Sequence, residues 1–423
     1  MNYEHPKRKT KVVFVQLGSP SEPTTKALRK YLRAFLGDPR VVDINPWIWK
    51  IILNFFVLPF RPKKSAKLYA RIWDGESFPL ITNTRDFTKN VSEELKKIDP
   101  EGYVEVNHAF LLSPPYVNEV YDSWEEDLKK GVGATKLLVI PMFPQYSEST
   151  IASGIDALAK ELSKRVKIPT FEVITNFHRT HAFIDNSVKQ VDSKLNELAK
   201  QGKKIDSLVI TFHGMQKRRI VNKGDDYYRH CYETFCLITN NLKNIRPKQC
   251  KMSFQSRFGS EEWITPYTED VVKELISNGK KEIAIYSPSF VADCLETTDE
   301  LGHELVNEAK EWGGNVYPVK CLNTNKDWCK DFAKYTFVQA EGSAQDKENI
   351  ESVYINLAQA YQSTKQFEKA LQIINRGLKK FPKQMILFIE EFPHMILPIK
   401  DLIQENQKLT HGVSLLGKIN QRY

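Results

Sequence analysis

The sequence has no hydrophobic run long enough to cross a membrane. The longest apolar stretch extends from Trp47 to Phe60 and is interrupted by Lys50 and Pro59. At about 14 residues it is shorter than the roughly 20 that a helix needs to span a bilayer. The segment from Met1 to Thr10 is polar and lacks the apolar core of a secretory signal. We therefore expect a protein that does not span a membrane and resides in the cytoplasm.

Cysteine is scarce, and no nucleic-acid-binding module is recognisable. The six cysteines are irregularly spaced, and without a secretory signal this is typical of a reducing compartment. The net charge is +9, but the 61 basic residues are interspersed with 52 acidic ones. This mixture argues against a nucleic-acid partner. The excess positive charge instead suits an anionic lipid or a substrate that bears carboxylates.

The chain contains enough apolar residues for large cores. Hydrophobic residues make up 41% of its 423 residues, and this length suggests about two to four compact units. Strand-like runs alternate with helical patterns such as 155–165 and 183–198, which predicts parallel sheets flanked by helices. The strand-like runs lie at 12–17, 137–141, 208–212 and 282–287. Two such sets predict an α/β fold of two lobes, at about 10–160 and 165–320, with a crevice between them.

The pattern becomes purely helical near the C-terminus. We expect the α/β region to occupy residues 10–335, followed by a polar linker at 336–348 and an all-α extension at 349–423. Residues 351–384 fall in register with one tetratricopeptide repeat. A single repeat does not bury its own apolar face, and about three are normally needed. The repeat therefore packs on its own tail, on the α/β region or on a partner protein.

Two polar groups follow apolar runs that are typical of buried strands. His213 ends the run from Leu208 to Phe212, and Glu296 follows the segment from Pro288 to Leu295. Side chains just past the carboxyl ends of parallel strands face the ligand crevice of an open sheet. A neutral imidazole there accepts a proton or ligates a metal, although most such histidines are structural. These residue types do not by themselves name a reaction.

Three glutamates recur at a spacing of four residues. Glu296, Glu300 and Glu304 would share one face of a helix. A solvated acidic stripe is the simplest interpretation. The first member, however, follows a strand end, and adjacent carboxylates raise each other's proton affinity. The alternative is a path for protons or cations.

The apolar segment between Asp43 and Lys64 carries Trp47 and Trp49 and ends in basic residues. An ordinary core helix explains it. Because it is apolar on nearly every side, it also suits a lip that grips a flat apolar ligand or rests on a membrane surface, with cations for phosphates or carboxylates.

Several strings in this sequence resemble ferrochelatases, the enzymes that insert ferrous iron into a porphyrin to make haem. In the family's order these strings are Val12–Pro20, Tyr31–Asp43, Pro144–Ser147, Phe212–Gly214, Phe254–Gly259 and Cys321–Asn323. The resemblance implies two similar α/β lobes, each with a parallel four-stranded sheet flanked by helices, around a porphyrin cleft. It also implies that ferrous iron is a substrate, with no cofactor required.

The resemblance assigns roles to the acid and base residues. His213 matches the family's catalytic histidine, and Glu296 matches its essential glutamate, so both are expected to contact the metal. Glu300 and Glu304 fall on the family's acidic line, which carries metal or protons, and Asp293 matches an acidic residue of the same turn.

Substrate contacts are implied at the cleft walls. The resemblance places Gln145, Tyr146 and Ser147 in the cleft lining, although these residues also suit a helix cap. The family's hydrophobic lip corresponds to the segment of Trp47 and Trp49. Arg257 is as well suited to a structural ion pair as to substrate contact.

Two features depart from the family pattern. Phe110-Leu111 stands where the family commonly has Arg-Tyr, and Met215-Gln216 stands where Leu-Pro is usual. The loss of a cation and a phenol keeps two alternatives open: a weakened, porphyrin-binding or haem-binding regulator, or a chelatase for another metal or tetrapyrrole. Some relatives carry a four-cysteine [2Fe–2S] cluster, but the cysteines here lack such spacing, which argues against one.

Overall fold

Two parallel sheets of four strands each form the framework of the described part of the chain. The computed structural model describes residues 9–129, 134–257, 259 and 261–341. The sheets have the strand orders β2-β1-β3-β4 and β6-β5-β7-β8. The strands are β1 Thr10–Gln16, β2 Val104–Phe110, β3 Lys136–Pro141, β4 Thr170–Val173, β5 Ser207–His213, β6 Cys250–Gln255, β7 Glu282–Tyr286 and β8 Asn315–Pro318. This confirms the predicted fold of two parallel four-stranded lobes.

Helices connect the strands. They are α1 Thr25–Leu36, α2 Pro46–Ile52, α3 Arg61–Arg71, α4 Pro79–Ile98, α5 Val117–Lys129, α6 Ser153–Leu162, α7 His181–Lys200, α8 Lys217–Lys223, α9 Tyr227–Asn241, α10 Thr268–Ser277, α11 Leu305–Glu311 and α12 Lys326–Glu341. Leu53–Val57, Glu148–Ala152 and Glu296–Glu304 are π-helical, and Pro247–Gln249 forms a 3₁₀ turn. Two of the longer helices, α1 and α7, have side-chain N-caps. The hydroxyls of Thr24 and Thr180 accept hydrogen bonds from backbone N–H groups in the first turns of these helices.

The central strands β1 and β5 are almost entirely buried. Every residue of β1 is buried, and in β5 only the last residue, His213, is partly exposed. Strands covered by helices on both faces are expected to be continuously apolar, which explains the strong sequence signal at Val12–Val15 and Leu208–Phe212. The polar side chain at the end of β5 is therefore placed at the sheet's carboxyl edge.

The structural boundaries differ from the predicted ones in two places. Strand β4 pairs with β3, so the first sheet extends to Val173, beyond the predicted start of the second lobe at 165. Helix α12 continues to Glu341 and covers the first residues of the predicted linker. The rest of the linker and the tetratricopeptide-like repeat lie outside the described residues. The described residues up to Ala340 form one compact unit.

Helix α12 comes from the end of the second lobe but packs on the first. The Trp328 ring stacks on Phe87 with centroids 5.5 Å apart, and the Phe332 ring meets Phe14 edge-on at 5.6 Å. The lobes also meet near the ends of their strands. The Gln145 side-chain amide, which follows β3, donates to the carbonyl of Pro288, which follows β7. Residues past the strands of both sheets therefore share one region.

Candidate active site

His213 is held by hydrogen bonds of its backbone, and one of its ring nitrogens has no hydrogen bond to a described residue. Its N–H donates to Ser289 Oγ at 3.1 Å, and its carbonyl accepts from the Tyr227 hydroxyl at 2.9 Å. The ring Nδ1 lies 2.7 Å from the carbonyl oxygen of Gly214. A carbonyl only accepts, so Nδ1 carries the hydrogen, and in the neutral ring Nε2 has the lone pair. His213 Nε2 is thus the atom that can accept a proton or bind a metal.

Gly214 allows the chain to pass close to its neighbours beside the histidine. A Cβ at this position would lie 2.7 Å from the Gln255 carbonyl oxygen and 2.9 Å from the Trp263 ring. Such contacts are shorter than packed atoms tolerate, so a side chain here would displace the strand end. The close approach lets Gly214 N–H donate to the Gln255 carbonyl at 2.7 Å. The indole N–H of Trp263 is buried and has no hydrogen-bond partner among the described residues.

Glu296 begins a π-helix and is connected to the histidine strand. Gln255 is the register partner of His213 on strand β6. Its side-chain Nε2 donates to the backbone carbonyl of Glu296 at 3.3 Å. Gln255 therefore links the strand end that carries His213 to the helix that carries Glu296. Segments of π-helix are rare in proteins, and those that do occur are often found at functional sites.

The three glutamates lie on this π-helix rather than on the α-helix that their spacing predicts. Burial, and secondarily the charge of Glu296, raise the pKa of Glu300 to about 8. The Ser256 hydroxyl donates to Glu300 and opposes that shift. Glu304 is 46% exposed and pairs with Arg71 at 2.8 Å. Glu300 thus holds its proton near neutral pH, while Glu304 reaches solvent.

Asp293 is bonded to the scaffold. Its carboxylate accepts from the backbone N–H of Cys321 at 3.1 Å, from the Asn323 side-chain amide at 2.7 Å and from the Thr297 hydroxyl at 3.2 Å. These bonds fix the turn before the π-helix against the loop after β8. The relay role of Asp293 stays a prediction.

The predicted cleft-lining residues after β3 have different environments. The Gln145 side chain is 2% exposed and donates to the Thr234 hydroxyl at 3.1 Å as well as to Pro288. Ser147 is 3% exposed, and its hydroxyl bonds to hydroxyls of the following π-helix. Tyr146 is only half-buried. Gln145 and Ser147 therefore support the junction, and Tyr146 is the member with ring surface available to a ligand.

Arg257 is exposed, and its guanidinium lies over the Tyr267 ring, 4.5 Å from the centroid. This cation–π contact is neither the ion pair nor the substrate contact that the sequence predicted for Arg257. Substrate binding by Arg257 stays a prediction.

The aromatic segment of α2 and its π-helical continuation is largely exposed. The Trp47 side chain is 78% exposed, whereas Trp49 turns inward and donates from Nε1 to the Leu36 carbonyl at 2.6 Å. Other large apolar residues are also exposed, namely Ile48, Ile51, Phe55, Phe56 and Phe60. An ordinary core helix therefore does not describe this segment. We call these exposed residues, with Trp47, the aromatic lip.

Sequence reasoning missed several groups near Glu296. Tyr31 and Tyr69 hydrogen-bond to each other, and burial, with a contribution from the Glu296 charge, raises the pKa of both phenols. Arg71 binds Asp299 at 2.7 Å in addition to Glu304. These residues lie more than two hundred positions from the π-helix in the sequence, so no local pattern connects them.

The replacement of the family's Arg-Tyr pair is accommodated in the core. Phe110 ends β2, is fully buried and meets the His108 ring edge-on at 5.5 Å. In the described part of the chain, no three His, Cys, Asp or Glu side chains are grouped to hold a resident metal ion. A site formed by His213 and Glu296 would therefore leave most coordination positions of a metal to other ligands.

Comparison with known proteins identifies the family. The ferrochelatase family model matches residues 9–339. The chain belongs to the ferrochelatase family. A ferrochelatase of Idiomarina loihiensis is 38% identical over 313 residues, which are 74% of this chain and 83% of the relative. A coproporphyrin III ferrochelatase of Enterococcus faecalis is 40% identical over 310 residues, 73% of this chain and 93% of the relative.

A solved structure aligns with this chain at low sequence identity. SirB from Bacillus subtilis with Fe3+ aligns with 80% of this chain and 98% of its own length, with a TM-score of 0.45 and 13% identity. Within the described residues, no helix is both long and apolar enough to cross a membrane.

Proposed function

We propose that this protein is a ferrochelatase lyase that inserts ferrous iron into protoporphyrin IX to form haem. The observation that carries the proposal is the His213 geometry: Nδ1 donates to the Gly214 carbonyl, and Nε2 has no hydrogen bond to a described residue. This ring lies at a strand end that Gln255 links to the Glu296 helix. Iron and porphyrin are the substrates, and no further cofactor takes part.

Metallation requires the removal of two protons from the pyrrole nitrogens. In our proposal His213 Nε2 accepts a proton, with Glu296 as its acidic partner at the metal. The pKa of about 8 at Glu300 lies close to neutral pH, so this carboxyl exchanges a proton with little free-energy change. The exposed Glu304 completes a route to solvent along the π-helix.

The choice of porphyrin depends on the number of cations in the cleft. Protoporphyrin IX has two propionates, whereas coproporphyrin III has four. Phe110 is apolar and fully buried where the family commonly has arginine, so one cation for a carboxylate is missing. The aromatic lip offers apolar surface that suits vinyl groups. Both features support protoporphyrin IX.

The aromatic lip also supports a peripheral contact with a membrane. Trp47, Phe55 and Phe60 are each at least 70% exposed, and Lys50 and Lys63 lie in the same segment. Aromatic and basic residues together favour the interface of an anionic bilayer. We accordingly propose that the protein resides in the cytoplasm, at the inner face of a membrane. A protein partner for the C-terminal extension stays a prediction.

A metallation assay tests the proposal. Purified protein is mixed anaerobically with Fe(II), Co(II) or Zn(II) and either protoporphyrin IX or coproporphyrin III, and metalloporphyrin absorbance is followed. We expect the highest kcat/KM for Fe(II) with protoporphyrin IX. Preference for coproporphyrin III would contradict the substrate assignment. Porphyrin binding without turnover would favour the weakened regulator, which the buried Phe110 in place of arginine also supports.

A further inference from the structure

Gln255 lies at the centre of the candidate site. It is the last residue of β6 and the register partner of His213, so both side chains leave the sheet on the same face. It is 6% exposed. Its backbone carbonyl accepts from Gly214, and its side-chain amide reaches the Glu296 carbonyl. These two bonds join the strand end that carries His213 to the helix that carries Glu296.

The orientation of this amide is determined by its neighbour. The Glu296 backbone carbonyl only accepts hydrogen bonds, so the NH₂ group of Gln255 must face it. The amide oxygen Oε1 consequently points elsewhere. It is buried and has no hydrogen-bond donor among the described residues. A buried acceptor without a partner is destabilising, so it calls for a ligand that donates a hydrogen bond.

We propose that Gln255 Oε1 is a substrate-binding group that accepts a hydrogen bond from a pyrrole N–H of the metal-free porphyrin. This inference rests on the proposed ferrochelatase function. It gives Gln255 a specificity role, because free-base porphyrin carries N–H donors and the metallated product has none. The acceptor favours the substrate and gains nothing from the product, so it also favours product release.

The test compares two ligands on one pair of proteins. Binding of free-base protoporphyrin IX and of zinc protoporphyrin IX is measured by quenching of protein fluorescence, for the wild type and for Gln255→Met. Methionine keeps the length of the side chain and removes the acceptor. We expect free-base affinity to fall roughly threefold to tenfold, the range of one neutral hydrogen bond, with zinc-porphyrin affinity unchanged.

Ser253→Ala provides the matched control. Ser253 lies two residues earlier on β6, is buried, and bonds to the Thr268 hydroxyl at 3.0 Å. Its loss removes one buried hydrogen bond from the same strand and should alter neither affinity. If Gln255→Met folds poorly, Gln255→Leu is measured in its place.

The possible failures are distinguishable. Equal loss of affinity for both porphyrins in Gln255→Met would mean that Gln255 only supports Glu296, and would overturn the inference. Unchanged affinity for both porphyrins with a raised KM for the metal would assign Oε1 to a metal-bound water and would also overturn it. If the wild type binds neither porphyrin, the proposed function itself fails.

Discussion

The two sheets share one topology but differ in the side chains at their carboxyl edges. In the first sheet the last register pair of the central strand and its neighbour is Gln16 and Phe110. In the second sheet the corresponding pair is His213 and Gln255. Gln16 Oε1 accepts from the next backbone N–H, at Leu17, and Phe110 is fully buried. The polar side chain at the first edge is therefore hydrogen-bonded to its own lobe. At the second edge, His213 Nε2 and Gln255 Oε1 have no hydrogen-bond partner among the described residues.

This difference separates the roles of the lobes. The same strand order supports both edges, so architecture alone does not determine which lobe performs acid–base chemistry. The second lobe carries His213 and the π-helix of Glu296. The first lobe carries the aromatic lip and the buried phenols. Two lobes of the same topology thus carry different functional groups: apolar binding surface in the first lobe and acid–base residues in the second.

The largest expected effect comes from removing the imidazole of His213 at the carboxyl edge of the second sheet. His213→Ala should lower kcat for metallation by about 10²–10⁴-fold, the usual contribution of a general base. Circular dichroism and thermal unfolding should remain close to wild type. The control is His181→Ala, because the His181 side chain is 98% exposed. Near-normal turnover in His213→Ala would remove this residue from the mechanism.

The next comparison lies within the π-helix. Glu296→Gln should reduce kcat by at least about 10²-fold, because the carboxylate at the metal loses its charge. Glu304→Gln should change it only a few-fold, since Glu304 is exposed and Arg71 keeps its bond to Asp299. Steady-state rates for both variants decide the matter. Equal losses would mean that the path along the helix is assigned in the wrong order.

The sequence predicted β1, β3, β5 and β7 well, because a strand covered on both faces has a continuous apolar pattern. The ends at His213 and Pro141 were therefore placed within a residue. The other four strands, β2, β4, β6 and β8, were not among the predicted runs. The π-helix was not predicted, because a spacing of four residues suits an α-helix equally well. The contacts of Arg71, Tyr31 and Trp328 were also missed, since they join residues far apart in the sequence. Gln255 stands within a string that supported the resemblance, but only register reveals its place beside His213.

A smaller effect is expected at the aromatic lip of the first lobe. Replacing Trp47 and Phe55 by serine should weaken sedimentation with anionic phospholipid vesicles several-fold and raise the porphyrin KM, because exposed aromatic surface drives both contacts. Phe171→Ser is the control, since this residue of β4 is 47% exposed but lies outside the lip. Unchanged vesicle binding in the double variant would contradict the membrane contact. The contribution of the lip to porphyrin binding is tested separately by the porphyrin KM.

The remaining expected effect is on stability rather than on activity, at Glu300 in the second lobe. Burial and the Glu296 charge raise its pKa from 4.5 to about 8, so the folded protein binds this proton more tightly than the unfolded chain. Between pH 4.5 and 8 the wild type should therefore lose stability as pH rises, by on the order of a few kcal/mol from this group.

Glu300→Gln removes that loss and keeps an acceptor for Ser256. Its melting temperature should exceed that of the wild type by a few degrees at pH 8, and the difference should shrink towards pH 5, where Glu300 is protonated in the folded state. Glu304→Gln, at an exposed position, should show no comparable trend. The measurement is thermal unfolding across this pH range. A difference in melting temperature between Glu300→Gln and wild type that stays constant with pH would mean that Glu300 is ionised in the folded protein. Glu300 would then not hold the proton that the proposed relay requires.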